Sequence, residues 1–159
     1  VDTLTPFLWF DTQAEEAAKF YTSVFKDGKI HTVSHYPESS PFKAGEVMVA
    51  EFEIMDTRFI ALNAGPEFKF NPSVSFMISC NDQEEVDYYW SKLTADGGEE
   101  SQCGWLVDKF GLSWQVTPKI MGQLMSGASD PEASGRAMAA MMTMRKLDIK
   151  ALQDAFDGK

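Results

Sequence analysis

At 159 residues, with 44% hydrophobic and 13% aromatic side chains, the chain is long enough for one domain with a packed core, and intrinsic disorder is excluded as the default. Its 24 acidic against 14 basic residues leave a formal charge of −10, a surface that repels phosphate backbones and anionic lipid, so neither nucleic acid nor a membrane is expected as a partner. No apolar run approaches the roughly 18 residues of a membrane span. No leader-like stretch opens the sequence, and Cys80 and Cys103 are therefore expected as free thiols in a reducing cytoplasm.

Leu4–Phe10 is a short apolar run suited to a buried strand. From Gln13 to Phe25 the apolar Ala14, Ala17, Ala18, Tyr21, Val24 and Phe25 keep helical spacing, and Asp27–Gly28 stops the helix. Lys29–Tyr36 reads as a strand, residues 37–45 as a loop, Glu46–Ile54 as an alternating strand, and Phe59–Asn63 as its return after a turn at Met55–Arg58. Residues 64–72, rich in Gly, Pro and Phe, form a linker. Ser73–Cys80 then reads as a strand and Asp82–Ala95 as a helix. Glu99–Cys103, Trp105–Asp108 and Leu112–Thr117 are short strands divided by Gly104 and Gly111. Three helices close the chain: Lys119–Met125, Pro131–Lys146 behind an Asp130 cap, and Ile149–Phe156 behind Asp148.

The most informative pattern is internal. Residues 7–28 recur in muted form at 76–97, at a constant offset of 69. Phe7 matches Phe76, Glu15–Glu16 match Glu84–Glu85, Phe20–Tyr21 match Tyr89–Trp90, and Asp27–Gly28 match Asp96–Gly97. Thr12 with Glu15, and Asn81 with Glu84, stand at capping-box spacing. Two copies at this period predict a duplicated half-domain rather than a solenoid array.

Five strings carry a resemblance: PFLWFDTQAEEAAKFY at 6–21, LNAGPEFKFN at 62–71, CNDQEEVDYYWSKL at 80–93, QCGWLVDKFGLSWQVTP at 102–118 and RKLDIKAL at 145–152. The sequence resembles the PhnB-like family, which also carries the label 3-demethylubiquinone-9 3-methyltransferase, within the vicinal-oxygen-chelate superfamily of glyoxalase I, bleomycin-resistance proteins and extradiol dioxygenases. The resemblance implies an α+β fold of two tandem βαβββ modules. On that basis a single glyoxalase-like domain is expected, with module one at 3–63, the linker at 64–72, module two at 73–118 and a helical tail at 119–159. It further implies that each module curls its strands around a concave face that holds a ligand and, in many members, a divalent metal.

Carried onto this chain, the superfamily's metal positions fall near Leu4, Ala61, Ser73 and Gln115, of which Gln115 alone could ligate. His31 and His35 share a strand and could share a metal if Glu51 faced them, but packed or surface histidines explain them as well, and no metal is expected. Methyl transfer finds no support either: Phe10–Asp11–Thr12–Gln13 leads into the first helix without the glycine-rich turn of a typical methyltransferase, and no cofactor is expected. Cys103 lies in a loop with no histidine near it in sequence, which favours a packed thiol over a nucleophile. The Met-rich stretch Met138, Met141, Met142 and Met144 reads as core or interface packing, with Arg145 and Lys146 completing the helix end.

What remains is the lining of the concave face. Odd positions of the second module's first strand are expected to face it, Ser75 and Met77 among them, with Ser113 and Gln115 from its last strand. The same phase in the first module places Leu8, Phe10, Phe59 and Asn63 on the concave face, with Phe7, Trp9, Ile60 and Leu62 against the helix. This mixture of apolar surface with small hydroxyls and amides suits a small, mainly apolar organic molecule. The alternatives are a metal-dependent isomerase, lyase or dioxygenase of the same superfamily, and an interaction module acting through the tail, in a filled barrel whose small polar groups satisfy one another. A homodimer is expected, with the tail covering part of its own barrel or its partner's.

Overall fold

The computed structural model describes residues 2–159. Its elements are β1 (Phe7–Phe10), α1 (Ala14–Val24), β2 (Lys29–His35), β3 (Val47–Ile54), β4 (Thr57–Asn63), β5 (Ser75–Cys80), α2 (Gln83–Thr94), β6 (Glu99–Glu100), β7 (Trp105–Val107), β8 (Ser113–Pro118), α3 (Met121–Met125), α4 (Pro131–Met141) and α5 (Ile149–Asp157). The chain divides into two compact units, residues 1–70 and 71–159. Each holds one four-stranded mixed sheet, ordered β1-β4-β3-β2 in the first and β5-β8-β7-β6 in the second. The fold is therefore α+β, two βαβββ modules with helices after the second. No helix among the described residues is long and apolar enough to cross a membrane.

In the first unit a single helix covers a single face of the sheet. Tyr21 of α1 stacks on Phe52 of β3 at 5.8 Å between ring centroids, and Phe52 stacks on Phe59 of β4 at 5.3 Å. Alternation and register then carry that face across the strands. Phe52 pairs with Phe59 and Ala50 with Ala61, while Leu8 pairs with Ala61 and Phe10 with Asn63. All eight are buried.

Asn63 closes this layer. Its Oδ1 accepts the Ala14 backbone N–H at 2.8 Å, and its Nδ2 donates to the Val47 carbonyl at 3.1 Å. Thr12 was expected to cap α1. The N-cap residue is instead Gln13, with no side-chain bond to the helix, and a sheet residue 49 positions away satisfies the first orphan donor.

In the second unit the helix-side face is Ile78, Cys80, Leu106, Trp114 and Val116, buried with Val86, Trp90 and Leu93 of α2. Asp82, rather than Asn81, caps α2 by accepting from Glu85 N–H at 2.9 Å, while Glu85 reaches back to the Asn81 N–H at 2.7 Å. Asp108 is buried at the β7–β8 turn. Its carboxylate accepts from Phe110 N–H, Leu112 N–H and the Trp114 indole at 2.8, 3.1 and 2.9 Å, which offsets its desolvation.

The two modules are related by two offsets rather than one. Buried helix positions Ala17, Tyr21 and Val24 correspond to Val86, Trp90 and Leu93, an offset of 69. Buried strand positions Leu8 and Phe10 correspond to Ile78 and Cys80, an offset of 70. Phe10 is followed by Asp11, Thr12 and Gln13 before α1, whereas only Asn81 and Asp82 separate Cys80 from α2. Past the helices the offset is 70 again. A Cβ on Gly28 would lie 2.4 Å from the Thr22 carbonyl oxygen, and one on Gly98 2.7 Å from that of Leu93, so each sits tight under its helix end.

The tail makes a small core of its own: Met121, Leu124, Ala137, Leu147 and Leu152, with Met141, Met144 and Phe156 packed on it. Asp130 and Asp148 cap α4 and α5 as expected. However, α4 stops at Met141, so Arg145 and Lys146 do not serve its last turn; Lys146 pairs with Asp87 at 2.8 Å instead. Gln83 clasps the tail from α2, donating to the Leu147 carbonyl at 3.0 Å and accepting the Ile149 N–H at 2.8 Å.

Replacing Asn63 with Ala strands a buried N–H and a partly buried carbonyl, and is expected to lower stability by about 1–3 kcal/mol with an unchanged urea m-value. Thr12→Ala should leave the midpoint where it was. Equal losses in the two variants would restore Thr12 as the cap.

Candidate functional site

One face of each sheet carries no helix of its own unit among the described residues. In the first unit that face is the opposite of the one expected. Leu8, Phe10, Phe59 and Asn63, read from the sequence as concave-facing, lie under α1, and Phe7, Trp9, Ile60 and Leu62 take the open side. The reason is the one-residue difference between the turns entering α1 and α2: a phase carried over at offset 69 turns every strand side chain to the wrong face. Phe7 is 59% exposed. Trp9 is half-buried because the linker folds back on it, with Phe68 edge-on at 5.0 Å and the Gly65 carbonyl taking its indole N–H at 2.9 Å.

The other end of this face is charged. His31 Nε2 lies 3.1 Å from Glu53 Oε2, Lys29 reaches the same carboxylate at 3.4 Å, and Arg58 binds Glu51 at 2.5 Å. Arg58 also lies 3.4 Å from His31 Nδ1, so both ring nitrogens are engaged. The His31 contact above all holds the Glu53 carboxyl below its ordinary value; burial, the next effect in size, opposes it, and Lys29 adds to the lowering. Irregular register on either side of His31 and between Ser34 and His35 breaks the even alternation the sequence suggested for the two histidines.

Asn63 lines a hollow of about 530 Å³ at the edge of the first sheet, with Asp11, Thr12, Glu15, Glu46 and the stacked Tyr36 and Phe42 rings, 4.7 Å apart. The Tyr36 hydroxyl donates to the Asn63 carbonyl, so this residue holds one wall through its backbone as well as its side chain.

In the second unit the phase is the expected one. Ser75 pairs in register with Ser113 and Met77 with Gln115, on the face away from α2, and Trp105 pairs with Gln115 from the other side. Gln115 Nε2 donates to Ser75 Oγ at 2.9 Å. Met77 is 59% exposed, whereas Ser113 is buried and its hydroxyl finds no partner among the described residues. Trp105 and Val107, which pairs with Ser113, are residues of this face that the strand alternation of β7 could have placed there.

Neither group raised by the resemblance fits these residues. Of the metal positions, the Leu4 and Ala61 side chains have no donor atom, the Ser73 hydroxyl is engaged with Asn71, and the Gln115 amide oxygen, whose Nε2 binds Ser75, would be a lone neutral ligand. The Arg58 guanidinium stands between His31 and Glu51, where it would repel a divalent ion. No group of three His, Cys, Asp or Glu side chains is gathered for a metal among the described residues. S-adenosylmethionine fares no better: the turn into α1 has no glycine, and the first N–H of that helix is already taken by Asn63.

Residues 2–117 match the sequence model of the family described as 3-demethylubiquinone-9 3-methyltransferase. Among solved structures, the PhnB protein from Bacillus cereus is 35% identical, covering 74% of this chain and 99% of its own, with a TM-score of 0.67. A Pseudomonas aeruginosa protein shares the fold at 19% identity, 74% and 98% coverage and a TM-score of 0.62. The fosfomycin resistance protein FosX from Listeria monocytogenes does so at 12% identity, 74% and 93% coverage and 0.51. None of the curated proteins matches the chain.

The Glu53 contacts set a pH dependence of known sign. Unfolded, this carboxyl titrates near 4.5, and folded it titrates lower. The stability it contributes is thus whole above about pH 4.5 and is lost as pH falls through the folded value. Urea midpoints of the parent and Glu53→Gln should differ at neutral pH and converge as pH falls through that folded value. A gap that stays constant into acid would show that the carboxylate is not held by His31 and Lys29.

Proposed function

We propose that this chain, which belongs to the 3-demethylubiquinone-9 3-methyltransferase (PhnB-like) family of the vicinal-oxygen-chelate superfamily, binds a small, mainly apolar organic molecule without a metal ion. The observation that carries this reading is the helix-free face of the second sheet, where exposed Met77 and half-buried Trp105 flank the Ser75–Gln115 hydrogen bond. Methionine and indole offer an adaptable apolar surface to an aromatic or aliphatic body. The Gln115 amide oxygen and the Ser75 proton then orient one uncharged polar group. Ser113, the register partner of Ser75, lies buried on the same face. Phe7 and Trp9 offer the same kind of surface on the first sheet.

Catalysis by a metal-dependent isomerase, lyase or dioxygenase route lacks its donors at the positions above, and methyl transfer lacks its cofactor turn. A two-fold homodimer in the cytoplasm completes the reading; exposed Phe7, Val74 and Met77 support the first part and two free thiols the second.

Mass spectrometry of denatured protein should release a stoichiometric organic molecule, and metal analysis of protein purified without chelator should find none. With naphthol as an uncharged aromatic probe, Gln115→Ala should weaken binding about tenfold, the worth of one hydrogen bond to a bound polar group. Phe59→Leu, under α1, should leave the affinity unchanged. S-adenosylmethionine should not raise the melting temperature. Stoichiometric zinc, nickel, manganese or iron would overturn the metal-free reading, and a Gln115→Ala variant with parental affinity would remove the site.

A further inference from the structure

The turn carrying Cys103 is fastened on both sides to the segment that follows α4. Cys103 N–H donates to the Met144 carbonyl at 2.9 Å, and Gly104 N–H to that of Arg145 at 2.8 Å. The effect is to set Cys103 Sγ 3.8 Å from Met142 Sδ, two sulfurs brought together from 39 positions apart. Met142 is the first residue past α4 and is 62% exposed; its N–H bonds to the Met138 carbonyl at 3.0 Å, so helical register continues from one to the other. Met138, one turn back on the same face, is 48% exposed.

Packing within the chain does not account for this pair. Met141 and Met144 lie against the tail core, whereas Met138 and Met142 leave long apolar side chains in water beside a half-buried thiol. We propose that Cys103, Met142 and Met138 form a surface site for a soft monovalent ion, with Cu(I) as the physiological occupant. Thiolate and thioether sulfur are the donors that select Cu(I) over harder ions. With metal–sulfur bonds of about 2.3 Å, a 3.8 Å separation subtends roughly 110° at the ion. That angle leaves room for a third donor, which Met138 supplies. A single thiolate with two neutral thioethers is a poor zinc set, since zinc sites draw on nitrogen, oxygen and thiolate ligands. The net charge of −10 favours a cation at any surface site. On binding, the Cys103 S–H bond breaks, its proton passes to solvent and an S–Cu bond forms; the ion arrives already reduced and no electron changes hands.

The test is an anaerobic titration of the full chain with Cu(I) against a chromophoric chelator. One equivalent should bind, with an ultraviolet thiolate-to-copper charge-transfer band, and Zn(II) should not compete. Cys103→Ser should abolish the band, and Met142→Leu and Met138→Leu should each weaken binding about tenfold or more, with circular dichroism confirming the fold. The parent chain supplies a further readout. Iodoacetamide should alkylate Cys103 alone, because burial and the nearby Glu85 and Asp82 push the Cys80 thiol up to about 12, and bound Cu(I) should block that reaction. Parental uptake by Cys103→Ser, or parental affinity in both methionine variants, would overturn the proposal.

Discussion

The side chain of Asn63 is the contact on which the first module's arrangement depends. One buried carboxamide ends β4, caps α1 and ties down β3, with its acceptor on Ala14 N–H and its donor on the Val47 carbonyl. A helix entered without a side-chain cap would leave its first donors to water, yet this end is buried against the sheet. Fixing Asn63 under α1 also fixes Phe59 and Ala61 there by alternation, and through the parallel register it fixes Leu8 and Phe10. The open face is then whatever is left: Phe7, Trp9, Ile60 and Leu62. The chemistry available to a ligand in this unit is thus decided by the packing on the opposite side of the sheet.

That dependence explains what could be read from the residues and what could not. The element order and the caps at Asp130 and Asp148 are local patterns, and each stands in the structure where the sequence placed it, as does the duplication apart from its constant offset. The face of β1 is not local. Its alternation FLWF is apolar on both sides, so nothing within the strand distinguishes Leu8 and Phe10 from Phe7 and Trp9. Phase had to be carried over from the second module, and one extra residue before α1 reversed it. The buried helix positions still align at 69, which concealed the slip. The usable signal was Asn63, a polar residue ending an apolar strand, whose amide needs buried partners that a helix N-terminus supplies.

The tail shows the same limit at its far end. The run MMTMRK keeps helix-forming composition past Met141, yet α4 stops, because the segment is drawn down onto the Cys103 turn and its carbonyls at Met144 and Arg145 accept N–H groups from there. Gly104 is what allows the approach. Its φ is +86°, and a Cβ would lie 2.9 Å from both the Leu147 side chain and the Val116 carbonyl oxygen. Propensity favoured a longer helix, and tertiary hydrogen bonds overrode it.

The two open faces do not offer the same chemistry, although the modules descend from one pattern. On the first, Lys29, His31, Glu51, Glu53 and Arg58 pair among themselves, so the positive and negative groups nearly cancel and each is already held. A charged ligand there would have to break pairs whose side chains are partly shielded, recovering little beyond what it displaced. On the second, Ser75 and Gln115 hold one hydrogen bond and keep spare capacity, beside exposed Met77 and half-buried Trp105. An uncharged molecule with one polar group therefore gains contacts on the second face without dismantling any. That asymmetry, rather than the fold shared with the superfamily, is the reason to look for the ligand at Ser75, Met77, Trp105 and Gln115.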